Sequence, residues 1–155
     1  MEKIEKLVSD TSIIIEGLLS KKLENKELKV EELIIHEAVL AELEHQANFG
    51  KEIGNLGLDE IKKLRELSKK LTFTLSFKGK RPSAVEIKHA SMGEIDSLIR
   101  ELAWEEGATL ITGDKVQSKV AEAKGLSVIY IEPVIKKKKL AIEKYFDKET
   151  MSVHL

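Results

Sequence analysis

Cysteine is missing from this chain of 155 residues. That absence excludes disulfides, thiolate zinc sites and a cysteine nucleophile. It also fits a reducing compartment, so a cytoplasmic location is expected. Aromatic side chains make up only 5%. They are not interleaved with basic residues, so no base-stacking platform is expected and sequence reading of bases is not anticipated. No apolar run approaches the roughly 20 residues that cross a bilayer, and no membrane partner is expected. The stretch Met1-Glu-Lys-Ile-Glu5 is charged and has no signal-peptide core. Neither sign of charge dominates: 26 Lys and Arg stand against 27 Asp and Glu, for a net charge of −1. No global field draws in nucleic acid, so any such contact has to be local.

What is present is an ordinary globular balance, 42% hydrophobic and 34% charged. The length suits one compact domain. Abundant Lys and Glu without Cys resembles thermophile composition. Short apolar runs alternate with amphipathic stretches. Strands are expected at Leu7-Val8, at 33–35, at 71–77 by period-two alternation, at 109–112 and at 126–131. The last is apolar enough to be buried on both faces. Helices are expected at 12–20, 37–48, 58–70, 94–106 and 114–124. A further helix should start at Ser83, where Ser83-Ala-Val-Glu86 has the form of a capping box. Gly54-Asn-Leu-Gly57 and Ser91-Met-Gly93 are expected to be breaks, and 24–32 a charged loop. Strands alternating with helices predict a three-layer α/β/α sandwich on a mostly parallel sheet. The domain should occupy residues 1–132. Residues 133–155, opening with the Lys136–Lys139 run, read as a linker toward a missing module, and the chain as a truncated piece.

Four acids fall where such a sheet gathers its functional residues. Asp10 follows the first strand, and Asp114 follows the strand at 109–112. Glu42 lies on the helix after the second strand, and Asp96 near the start of the helix at 94–106. Ligands bind outside the carboxyl edge of parallel strands, and helix N-termini gather at that edge too. Each acid alone has an innocent reading. Asp10 and Asp114 suit helix N-caps, Glu42 a solvated helix position, and Asp96 a pair with Arg100 four residues on. Together, ionised carboxylates so close require a cation. Their hard oxygens suit Mg²⁺ or Mn²⁺, and such ions can activate water toward a phosphodiester. The histidines His36, His45, His89 and His154 show no zinc-ligand spacing. No Gly-x-x-x-x-Gly-Lys-Ser/Thr loop occurs. Lys78, Lys80, Arg81, Lys115 and Lys119 are candidate nucleic-acid contacts. Trp104, late in its helix, is expected in the core or an interface.

Val8-Ser-Asp-Thr-Ser-Ile-Ile14, Val39-Leu-Ala-Glu-Leu-Glu44, Gly93-Glu-Ile-Asp-Ser-Leu-Ile99 and Leu110-Ile-Thr-Gly-Asp-Lys115 together resemble the PIN domain family of metal-dependent nucleases. The chain is most like the N-terminal PIN domain of archaeal ATPases that also carry a KH domain. The resemblance implies a flavodoxin-like sandwich and a Mg²⁺- or Mn²⁺-dependent endonuclease acting on single-stranded RNA, or possibly DNA. It implies that Asp10, Glu42, Asp96 and Asp114 are the metal-binding catalytic quartet, with Ser12 and Thr112 supporting them. Products would carry 5′-phosphate and 3′-hydroxyl ends. Some members have a further acid just after the fourth. Here Lys115-Val-Gln-Ser118 has none, which favours one resident ion. The alternatives are an oligomerising or nucleic-acid-guiding module of a larger ATPase, and a toxin-type ribonuclease. Expected partners are single-stranded nucleic acid, further copies of the chain, and covalent ATPase and KH modules.

Overall fold

A computed structural model describes residues 3–132. The chain runs β1 (Ile4–Ser9), α1 (Thr11–Ile15), α2 (Leu18–Glu24), β2 (Val30–His36), α3 (Glu37–Asn48), α4 (Glu52–Lys70), β3 (Thr74–Lys78), α5 (Ala84–His89), α6 (Met92–Glu106), β4 (Thr109–Thr112), α7 (Lys115–Ala123) and β5 (Val128–Tyr130). The strands form one sheet of order β3-β2-β1-β4-β5, and every neighbouring pair is parallel. Helices pack on both faces, giving the three-layer α/β/α sandwich. The central strands carry the core: Leu7, Val8, Leu33, Ile34, Ile35, Leu110 and Ile111 are fully buried. A residue inside a parallel sheet is covered from both sides, which is why these runs are uniformly apolar.

The sheet order fixes where a ligand can sit. From β1 the chain winds outward through β2 to β3, then returns across to β4 and winds the other way to β5. The segments leaving β1 and β4 therefore part in opposite directions, and a crevice opens between their carboxyl ends. Asp10 and Asp114 stand on its two sides.

Several expectations give way to packing. Gly54 and Gly57 do not break the chain; both lie inside α4. A Cβ on Gly54 would meet the Ala47 amide nitrogen at 2.3 Å, and one on Gly57 the Leu43 Cδ2 at 2.5 Å. The glycines are there so that α4 can lie against α3, a gain that offsets their poor helix propensity. The helix expected at 12–20 divides at Gly17, whose φ of 69° is left-handed. Part of the expected 24–32 loop is β2, which begins at Val30. The strand expected from Leu71 begins only at Thr74, because Leu71 still donates to the Leu67 carbonyl at the end of α4. β5 is shorter than expected and only half buried, with Tyr130 40% exposed. Among the described residues it lies at the sheet edge and has a neighbour on one side alone. Ser91 caps α6 rather than interrupting it, and Ser83 with Glu86 forms the expected capping box. Residues 133–155, including the Lys136–Lys139 run and His154, lie outside the described residues. Among the described residues, no helix is long and apolar enough to cross a membrane.

Candidate metal centre

Asp10 ends β1 and caps α1: its Oδ1 accepts from the Thr11 N–H at 2.8 Å. Asp114 caps α7 in the same manner, its Oδ1 accepting from the Val116 and Gln117 N–H groups at 2.8 and 3.1 Å. The innocent reading of both acids is therefore correct, and it does not exclude the chemical one. A carboxylate has about four lone-pair sites, and capping uses one or two of them. Thr112 joins the two acids. Its hydroxyl donates to Asp10 Oδ2 at 2.5 Å and accepts from the Asp114 N–H at 3.0 Å. Ser12 Oγ accepts from the Gly113 N–H at 3.1 Å, which fastens α1 to the turn after β4.

Glu42 reaches the crevice from α3 and Asp96 from the first turns of α6. Three of the four carboxylates, Asp10, Glu42 and Asp96, are raised above their ordinary values. Burial pushes Asp96 up first, then the charges of Asp10 and Asp114, with Glu42 adding a smaller push; Arg100 opposes them, and the result is a pKa of about 7. Asp10 is 2% exposed and is raised by burial, against hydrogen bonds from Thr112 and Thr11. Glu42 is raised by burial and by Asp10. Perturbed acids concentrated in a crevice mark a candidate site.

Among the described residues, no three acids or imidazoles already stand in the close array that grips one ion. The caps explain this: Asp10 and Asp114 are turned toward backbone amides. The donor set still fits a hard divalent ion. It is all carboxylate oxygen, and Glu42 Oε1 is buried without a hydrogen-bond partner among the described residues. A buried charge in that state is costly unless a cation meets it. Asp10, Glu42, Asp96 and Asp114 are thus the candidate ligands for Mg²⁺ or Mn²⁺.

The expected basic contacts divide. Lys78 bridges Glu106 at 2.9 Å and Glu32 at 3.2 Å, and Arg81 pairs with Glu44. Lys80, Lys115 and Lys119 are exposed, and Lys115 stands beside Asp114 at the start of α7. Trp104 is not in the core: it is 62% exposed and lines a cleft of about 550 Å³ with Ser97, Arg100 and Lys124. The run of α6 from Asp96 to Arg100 to Trp104 places the three at helical spacing of four, on one side of the helix. His36 is not a ligand. Its Nδ1 accepts the Ala38 N–H at 2.8 Å and caps α3, and burial lowers its pKa.

Sequence reasoning gave Gln117 no role. It is 1% exposed on α7, donates from Nε2 to the Asp96 carbonyl at 3.1 Å, and accepts from Arg100 Nη1 at 2.5 Å. Its spacing of three from Asp114 was the available signal, since that places both at the start of one helix.

Comparison with known proteins agrees with the fold. The family described as PIN domain matches residues 7–123. An uncharacterised KH- and PIN-domain-containing protein of Methanocaldococcus jannaschii is 41% identical over 151 residues, covering 97% of this chain and 24% of that protein. A Holliday junction branch migration ATPase of Sulfolobus acidocaldarius is 32% identical over 149 residues, covering 96% of this chain and 27% of that protein. The chain thus spans about a quarter of the length of these relatives. A solved domain of a functionally unknown M. jannaschii protein superposes with a TM-score of 0.79 at 38% identity, over 84% of this chain and 93% of that one.

Proposed function

This chain belongs to the PIN domain family, generally divalent-metal nucleases, and from that membership we propose that it is an endonuclease hydrolysing single-stranded RNA. The observation that carries the reading is the gathering of Asp10, Glu42, Asp96 and Asp114 at the β1/β4 crevice, with Asp96 raised to about 7 by burial and by its neighbours. Burial of a carboxylate among like charges is a cost that a divalent cation relieves. When bound, Mg²⁺ or Mn²⁺ supplies charge neutralisation at the phosphodiester and makes water easier to ionise.

The chain's own residues do the rest. When an ion is bound, Asp10, Asp96 and Asp114 would hold it, and Glu42 would complete or orient the site. Thr112 favours the ionised form of Asp10 by donating to Oδ2, against the burial that raises it, and keeps Asp114 in register by accepting its N–H. Ser12 holds the Gly113 turn in place. Such supporting bonds commonly matter 10–100-fold in metal affinity or activity. Water attacks phosphorus in line and gives up a proton to solvent, the bond from phosphorus to the 3′ oxygen breaks, and that oxygen takes a proton from solvent. The products are a 5′-phosphate and a 3′-hydroxyl. Exposed Lys115 and Lys119, beside the site on α7, are positioned to meet the flanking phosphates.

One observation favours a second reading. Val116, 69% exposed, occupies the stretch after Asp114, where a further acid would strengthen metal binding. A weakly catalytic domain that guides nucleic acid for attached ATPase and KH modules fits that feature and the relatives' composite names. Cleavage of an end-labelled single-stranded RNA with Mn²⁺, with Mg²⁺ and with EDTA separates the two, with Asp96→Asn run beside the wild type. Metal-dependent cutting lost in the variant supports the nuclease. Nucleic-acid binding without cutting by either protein supports the guiding module.

A further inference from the structure

Arg100 sits one helical turn after Asp96 and carries the cationic charge named among the influences on Asp10 and Asp96. A guanidinium whose charge reaches Asp10 and Asp96 would ordinarily close onto one of them. It does not: among the described residues, none of the ion pairs within 4 Å includes Arg100. Its Nη1 instead donates to the Gln117 amide oxygen at 2.5 Å. Its Nε is buried with no partner among the described residues.

The orientation of Gln117 is determined by its other end. Nε2 donates to the Asp96 carbonyl at 3.1 Å, so Oε1 is the atom turned toward Arg100. An amide oxygen holds a guanidinium in place without neutralising it. A carboxylate at the same position would hold it and cancel its charge. The loop Asp96 carbonyl, Gln117, Arg100 also ties α6, which carries one acid of the site, to α7, which carries another. Gln117 is 1% exposed, so this brace is built into the packing rather than laid on the surface.

We propose that Arg100, fixed by the neutral amide of Gln117, is a resident cation of the acidic site that fills the electrostatic place of a second divalent ion, so that the site takes one ion and not two. The inference rests on the metal-site reading above. It also accounts for the lack of an acid in Lys115-Val-Gln-Ser118, since a built-in positive charge removes the need for more ligands. A fixed positive charge repels an incoming dication.

Isothermal titration with Mn²⁺ at pH 7.5 tests it, with manganese electron paramagnetic resonance as a second count of bound ions. The wild type should bind one Mn²⁺ per chain. Arg100→Gln should bind a second, or bind the first about tenfold more tightly, because a repelling charge has gone. Arg100→Lys should keep the wild-type count. Circular dichroism melts check that each variant folds, and Arg100→Met supplies the same readout if the glutamine variant does not. Two ions on the wild type, or unchanged stoichiometry and affinity in the neutral variant, would overturn the inference while leaving the metal site standing. No Mn²⁺ bound by any of them would overturn the metal site and the inference together.

Discussion

The carboxylate of Asp96 offers a direct test of whether the cluster is strained without metal. Its pKa rises from 3.8 to about 7 in the folded chain. A carboxyl raised on folding binds a proton more tightly in the native state than in the unfolded one. Stability therefore falls as pH climbs from about 4 toward 7, and levels off above the folded value. The interval, 7 minus 3.8, is about 3 units and at full weight corresponds to about 4 kcal/mol. Asp96 is only half buried, so solvent screening reduces this to about 2 kcal/mol. Asparagine at this position cannot ionise and escapes the penalty. Without metal, Asp96→Asn should melt about 4–8 °C above the wild type at pH 8, the conversion for a domain of this size being about 2–4 °C per kcal/mol. Near pH 4, where Asp96 is protonated in the folded chain and about half ionised in the unfolded one, the gap should nearly close. Adding Mn²⁺ at pH 8 should reverse the order, because the wild type gains an ion that stabilises only the native state. Differential scanning calorimetry of both proteins from pH 4 to 8, with EDTA and with Mn²⁺, reads all three outcomes. A difference in melting temperature that stays flat across pH would refute the electrostatic reasoning.

Other consequences of the geometry can be measured separately. Thr112→Val removes the donor to Asp10 Oδ2 and the acceptor of the Asp114 N–H; Mn²⁺ affinity by titration should fall about 10–100-fold. Glu60, 6% exposed on α4, accepts the Ser20 N–H at 2.8 Å and the Ser20 hydroxyl at 2.7 Å. It caps α2, which its own Gly17 leaves uncapped. Glu60→Ala should cost about 2–3 kcal/mol in urea unfolding by stranding those two groups, and Glu60→Gln less. Gly54→Ala should cost more than Gly57→Ala in the same assay. The first places a Cβ 2.3 Å from a backbone nitrogen, whereas the second meets the end of the Leu43 side chain, which can turn aside. Overpacking of the first kind costs about 1–3 kcal/mol.

Local chemistry was enough to identify much of this protein. The apolar strands at 33–35 and 109–112, the helix at 37–48 and the Ser83 capping box all depend on neighbours a few residues away, and all stand where expected. The four acids were legible for the same reason, since each occupies a fixed offset from a strand end or helix start, and a parallel sheet brings those offsets to one edge. Contacts across the fold were beyond that reach. Gly54 and Gly57 look like a break until α3 is laid against α4. Nothing near Leu126 says that β5 lies at the sheet edge, where one flank stays open. Trp104 resembles a core residue in composition, yet points outward because of where α6 lies. Most telling is Gln117: an ordinary helix residue by sequence, it becomes the anchor of Arg100 only when α7 comes to lie against α6. The sequence by itself determined which acids are available and what family of chemistry they suit. Tertiary packing decided how they are held and which amide accepts the Arg100 guanidinium beside them, because those relations join residues that only the sheet brings together.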